Sequence, residues 1–255
     1  MVVLKGKMFS ALADDEIVIP HLERALFSDN WPESYNIKVD LGRHRPPPPG
    51  EIGWFYPSAH CLMDQRQLYY EIHPEYRLLL PKQKFTMSAM MSMSMGTAAH
   101  SIVQTQLQMA GKITDEKDIE VRFRNEERRC RGRLDFLFTK ANGKKIPVEM
   151  KTQHSRALNQ TKSVLPYWEC HLQVTMYGLG YDEGVLFVVE MGYPWQMTEF
   201  RIRRDEALLN VIYEKWATVL EMVKANTPPE HCCPRGSAEM DKCRANSVCW
   251  LSEPQ

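Results

Sequence analysis

The chain has 255 residues, 44% of them hydrophobic, which is enough for one good-sized core, and its formal net charge is zero. A balanced charge excludes bulk attraction to a polyanion as an argument for function, so any nucleic-acid reading has to rest on local clusters. The stretch up to Glu16 lacks the apolar run of a signal peptide, and no segment approaches the roughly 18 apolar residues needed to span a bilayer; a soluble intracellular protein is expected.

In chain order, a short amphipathic segment is expected around Ile17 to Phe27. Pro46 to Pro49 cannot continue a helix or pair inside a sheet, so the run ending at Gly50 is expected as an extended polyproline connector. Ser58 to His73 reads as one helix capped by Ser58, with Cys61 in its first turn. Met87, Met90, Met91, Met93 and Met95 read as adaptable core packing ahead of Gly96 and a second helix that runs to about Gly111. Strands follow at Glu120–Arg124, Arg131–Thr139 and Lys145–Lys151, the last two joined by the hairpin signal Asn142-Gly143. A helix at Tyr167–Tyr181, strands at Gly184–Glu190 and Met197–Arg203, and a helix at Asp205–Ala225 complete the pattern. This order predicts an α/β fold, a mixed sheet covered by helices on both faces. The domain partition is an N-terminal extension over 1–57, a main domain over 58–226 and a cysteine-rich tail over 227–255.

One basic cluster stands out: Arg122, Arg124, Arg128, Arg129, Arg131 and Arg133, interleaved with Glu120, Glu126 and Glu127. Both a solvated charged hairpin and a phosphate track fit it.

The chemistry concentrates on the second hairpin. Glu149 and Lys151 flank Met150, and the two-residue strand period puts both side chains on one face, about 7 Å apart. Asp135 interrupts the apolar run Leu134, Phe136, Leu137 and Phe138, where a carboxylate is costly unless it is paired or bound to a cation. Two carboxylates and a lysine can form a divalent-metal site for phosphodiester hydrolysis, with oxygen ligands suited to Mg²⁺ or Mn²⁺ and a cation placed where negative charge develops. Residue types alone equally fit a same-face surface pair and a hydrogen-bonded core aspartate.

The ordered set Gly96-x₃-His100, Gly132-x₂-Asp135, Glu149-x-Lys151 and Gln173-x₃-Tyr177 resembles the motifs of the PD-(D/E)xK nuclease superfamily in its RecB-like branch. The resemblance covers about Cys61 to Cys249 and implies a restriction-endonuclease-like core. It implies His100, Asp135 and Glu149 as ligands of the metal, with the backbone carbonyl of Met150 as a further one, and Lys151 as the catalytic lysine. Gln173 and Tyr177, four apart on a helix and so on one face, are implied to place the DNA strand. His60, His154, His171 and His231 take no role from it.

Cys61 ahead of this core and Cys233, Cys243 and Cys249 after it resemble the iron–sulfur members of the branch, the exonucleases associated with CRISPR loci and their phage relatives. There four thiolates hold a [4Fe–4S] cluster that clasps the two ends of the chain. The spacing Cys243-x₅-Cys249 matches, but Met240 stands where the family carries a cysteine, so Cys233, or Cys232 beside it, has to supply that ligand. Zn²⁺ is the competing occupant, although its sites favour cysteine pairs two to four residues apart. Cys130 and Cys170 are expected as buried small apolar residues.

Together these imply a metal-dependent exonuclease for single-stranded DNA or DNA ends, 5′ to 3′, in a bacterial or phage-infected cell. Its implied setting is DNA recombination, repair or CRISPR and phage DNA processing, with recombination or CRISPR-integration proteins as partners. An endonuclease or spacer-processing factor with the same site, and a non-catalytic DNA-binding module with a structural cluster, are the alternatives.

Overall fold

The computed structural model describes residues 17–26, 47–82, 84–154, 163–191 and 196–250. Phe27, Arg43 to Pro46 of the proline-rich connector, and the chain after Trp250 lie outside these. The described residues of Met1–Gly42, Phe85–Phe123 and Arg133–Arg204 form one compact unit, and those of Arg43–Lys84, Arg124–Gly132 and Asp205–Gln255 form the other.

The first unit is built on the sheet. Strands β1 (Ile119–Asn125), β2 (Cys130–Thr139), β3 (Lys145–His154), β4 (Glu183–Met191) and β5 (Met197–Arg203) lie in the order β1-β2-β3-β4-β5. β3 pairs antiparallel with β2 and parallel with β4, and β4 pairs antiparallel with β5, so the sheet is mixed as expected. The β2–β3 turn takes the form its sequence calls for: Gly143 sits at φ +78°, and the Asn142 side chain accepts from Lys144 N at 3.0 Å.

Alternating apolar residues cover both sheet faces. On one, Phe136, Phe138, Ile146, Val148, Met150 and Phe187 pack with α1 (Ile19–Leu26) and with Ala99, Val103 and Leu107 of α5 (Met87–Met109). On the other, Leu137, Leu186 and Val188 pack with Trp168, Leu172 and Met176 of α6 (Pro166–Leu179). Glu199 of β5 caps α1, its carboxylate accepting from Val18 N at 2.8 Å, a favourable place for negative charge at a helix N-terminus. α5 touches the sheet where Gly96 meets β3, because a Cβ at Gly96 would stand 2.8 Å from Thr152 Oγ1.

Two expectations about α5 are corrected. Its helix begins at Met87, where Thr86 caps it by accepting from Ala89 N at 3.2 Å, so the methionine stretch is helical. Those methionines are not core: Met87, Met90, Met91, Met93 and Met95 are all exposed, and the buried stripe of the helix starts only at Gly96.

In the second unit, the single helix expected over Ser58 to His73 is two: α2 (Pro57–His60) and α3 (Gln65–Ile72). Asp64 causes the break, since its carboxylate accepts from Arg66 N and caps a new helix. α4 (Tyr76–Leu79), α7 (Glu206–Lys224), α8 (Ala238–Lys242) and α9 (Asn246–Cys249) complete this unit, with α3 packed against α7. Asp205 caps α7, its carboxylate accepting from Ala207 N at 2.9 Å. Phe55 stacks on Trp216 at 4.7 Å, and the guanidinium groups of Arg124, Arg129 and Arg131 lie 4.3, 5.0 and 5.5 Å from the Trp54 ring. Arg129 also donates to the carbonyls of Ile52 and Gly53, so part of the basic cluster fastens this hairpin to the segment before α2.

Candidate active site

The β2–β3 ladder explains where polar groups can converge. Its register runs from Thr139↔Lys145 to Phe136↔Val148. Beyond that pair, Met150 N donates to Asp135 Oδ2 at 2.6 Å, so a side chain takes over where a neighbouring strand would otherwise supply a carbonyl. β3 continues against β4 alone, in register from Val148↔Val185 to His154↔Met191. The fork between β2 and β3 is filled by the side chains of Asp135, Glu149 and Lys151, all in the first unit.

Two of the helices flanking the sheet, α5 and α6, send residues to this fork. From α5, His100 Nδ1 lies 3.2 Å from Asp135 Oδ1, and Gln104, one helical turn later, donates to the Asp135 carbonyl at 3.0 Å. From α6, His171 Nδ1 lies 3.0 Å from Glu149 Oε1 and 3.1 Å from Lys151 Nζ. Lys151 Nζ donates to the same Glu149 oxygen, so Oε1 is shared by two nitrogens. Glu149 Oε2, by contrast, is buried and has no hydrogen-bond partner among the described residues.

Electrostatics follow from this packing. Burial works to raise the Glu149 carboxyl, but the charges and hydrogen bonds of His171 and Lys151 outweigh it and hold the group well below the usual carboxylate range. Burial likewise works to lower Lys151, and Glu149 and Asp135 overcome it, so the ammonium form is favoured. His100 is raised in the same way, burial being overcome mainly by Asp135. The site therefore holds a carboxylate, an ammonium group and a histidine biased toward its charged form.

His171, Gln104 and Glu120 belong to this neighbourhood and were not singled out by the sequence. Glu120 pairs with Arg133 and sits at φ +55°, a left-handed conformation rare for a glutamate on a strand. Burial, then the Asp135 charge, pushes its carboxyl up to about 7. The spacing of His100 and Gln104 was a usable signal for Gln104. Nothing local marked His171 or Glu120.

Gln173 is fully buried, and its amide donates to the Arg203 carbonyl of β5 at 2.8 Å. Tyr177 is half-buried one turn further along α6.

An orphaned carboxylate oxygen in a polar fork fits a hard divalent cation, whose ligands are oxygens. The described residues do not hold a ready-made cage, however: no group of three or more His, Cys, Asp or Glu among them stands in metal-binding arrangement. That applies also to the cysteines, so the expected four-thiolate clasp is not assembled among the described residues.

The second unit does bring several of those cysteines into one neighbourhood. Buried Cys249 has its sulfur 3.0 Å from Arg66 Nε and 3.5 Å from His231 Nδ1. Burial raises the Cys243 thiol, and Cys249 and Cys233 are near enough to add to the effect. Cys232 is pushed up to about 12 by burial and by Asp64, its hydrogen-bond partner. Cys61 is buried, as are Cys130 and Cys170, in agreement with the reading of the last two as small apolar residues.

No protein-family model matches the chain, and no curated protein matches its sequence. Solved structures do. The chain is similar to SSO0001 at 20% identity over 91% of this chain and 93% of that one, with a TM-score of 0.47. It is similar to the alkaline exonuclease LHK-Exo of Laribacter hongkongensis at 17% identity over 68% of this chain and 89% of that one, with a TM-score of 0.50. LHK-Exo in complex with dAMP gives 18% identity, 70% and 90% coverage and a TM-score of 0.50. The mixed five-stranded sheet with its flanking helices is thus a nuclease-like α/β fold. No described helix is long and apolar enough to cross a membrane.

Proposed function

We propose that the chain is a divalent-metal-dependent deoxyribonuclease of the PD-(D/E)xK type, acting as an exonuclease on single-stranded DNA or DNA ends. The observation that carries this is the meeting of Asp135, Glu149, Lys151 and His100 at the β2–β3 fork, with Glu149 Oε2 left open. The fold shared with an alkaline exonuclease supports it.

Asp135, Glu149 and His100, with the Met150 carbonyl, would hold Mg²⁺ or Mn²⁺. When bound, that cation supplies polarisation of the scissile phosphate and acidification of a water. The chain's own groups do the rest. Lys151, kept as an ammonium by Glu149 and Asp135, places positive charge where the attacked phosphate gains negative charge. Asp135 holds β3 in register through Met150 N, and Gln104 holds Asp135 from behind through its carbonyl. Gln173 fixes α6 to β5, and half-buried Tyr177, one turn along the same helix, would help place the DNA strand. A 5′ to 3′ polarity and a place in recombination, repair or CRISPR and phage DNA processing are the parts of this reading that come from the motif resemblance.

The second unit is proposed to carry a [4Fe–4S] cluster on Cys61, Cys233, Cys243 and Cys249, with Cys232 as alternative to Cys233 and Zn²⁺ as alternative occupant. The buried guanidinium of Arg66, with Nε 3.0 Å from the Cys249 sulfur, supports it, because a hydrogen-bond donor and a positive charge stand where a cluster's ligand sulfur would be. Anaerobic purification followed by iron, sulfide and zinc analysis tests this directly.

For the nuclease, labelled linear single-stranded DNA is incubated with Mn²⁺. Digestion by the unaltered protein and none by Glu149→Ala or Lys151→Ala is expected, and equal digestion by these variants would sink the assignment. Closed circular single-stranded DNA should survive, since an exonuclease cannot start on it.

A further inference from the structure

The carboxylate of Glu149 is used asymmetrically. Oε1 faces Lys151 Nζ and His171 Nδ1, whereas Oε2 is buried with no hydrogen-bond partner among the described residues. His171 is itself buried, on the helix that covers this face of the sheet. Its Nδ1 can donate to Glu149 or accept from Lys151, but a single nitrogen cannot do both at once. A lysine ammonium has three donors and a ready partner in Glu149, while the carboxylate can only accept. The combination that satisfies all three groups has Nδ1–H donating to Oε1.

We propose that His171 is the positioning residue of the cation site: by tying Glu149 Oε1 from α6, it fixes the carboxylate rotamer that leaves Oε2 turned toward the divalent cation. This rests on the cation-site reading above. Without His171, Lys151 on its flexible stem would be the remaining nitrogen on Oε1, and the carboxylate could rotate to present either oxygen to it. Groups that orient a metal ligand through its second atom typically change metal affinity or activity by about 10–100-fold when removed.

The experiment measures Mn²⁺ binding to the full chain without DNA, by electron paramagnetic resonance of the free ion, alongside the Mn²⁺ concentration for half-maximal cleavage. Asparagine can place an amide N–H near the position of Nδ1, whereas leucine cannot, so His171→Asn and His171→Leu separate the hydrogen bond from the packing. His171→Leu is expected to weaken Mn²⁺ binding by about 10–100-fold. Most of its cleavage rate should return at saturating Mn²⁺. His171→Asn should stay within roughly threefold of the unaltered protein in both measurements, since it keeps the donor. Wild-type affinity in the leucine variant overturns the role of His171, and so does an equal loss in both variants. Failure of the unaltered protein to bind Mn²⁺ at all removes the cation-site reading, and this proposal with it.

Discussion

Met150 N donates to Asp135 Oδ2 at 2.6 Å, just beyond Phe136↔Val148, the last registered pair of the β2–β3 ladder. Asp135 thereby serves the fold and the site with the same carboxylate, since its other oxygen meets His100. Asp135→Ala should leave a buried N–H without a partner and cost about 1–3 kcal/mol, read by urea denaturation. Asp135→Asn keeps an oxygen acceptor and should recover most of that stability while remaining inactive on DNA. An asparagine variant that cleaves normally would show that the carboxylate charge is not needed.

Lys151 and Glu149 form a buried ion pair, with side chains 20% and 3% exposed. Removing one partner of such a pair strands the other, so Lys151→Met should destabilise by about 3 kcal/mol. The double variant Glu149→Gln/Lys151→Met should regain a large part of the loss. If the two single changes simply add, the pair is not the source of the stability.

Gly96→Ala brings a methyl group to 2.8 Å from Thr152 Oγ1, while Thr152 Cβ stands at 4.0 Å. The overpacking should cost about 1–3 kcal/mol. It should also displace His100, one turn along α5, and so reduce cleavage. Thr152→Ala removes the clashing oxygen together with the Cγ2 methyl, and in combination with Gly96→Ala it should restore most of the melting temperature and the activity. Persisting loss in the double variant would place the defect elsewhere on the helix.

His60 lies buried in the second unit, its Nδ1 accepting from Tyr56 N at 3.1 Å. Burial, with a smaller effect of Arg244, lowers its pKa from 6.5 to about 4. Between these values the unfolded chain binds the proton and the folded chain does not. Stability is therefore fully present above pH 6.5 and is lost as pH falls toward 4. The loss attributable to His60 should be about 2 kcal/mol at pH 5 relative to pH 7.5. Denaturation curves for the unaltered protein and for His60→Asn should diverge by that amount in their pH dependence.

The sequence by itself determined what depends on neighbours along the chain. Alternation gave β2 through β5 with boundaries within a few residues, and Asn142-Gly143 marked the turn because φ > 0 there suits those residue types. The same two-residue period put Glu149 and Lys151 side by side, which their hydrogen bond bears out. Only the tertiary structure decided what depends on distant segments. His171 reaches Lys151 from 20 residues away, and Gln104 reaches Asp135 from 31. The one-turn spacing from His100 marks Gln104, but no local pattern distinguishes His171 from an ordinary helical polar residue. The methionines of α5 misled for the same reason: apolar character predicts burial only if another element arrives to cover it, and on α5 burial begins at Gly96, where the helix closes on Thr152. Asp64 split a helix that periodicity had drawn as continuous, since its carboxylate found a free N–H to cap. The fork itself is a tertiary fact: β3 leaves β2 and stays with β4, and the donor so freed is what Asp135 takes up.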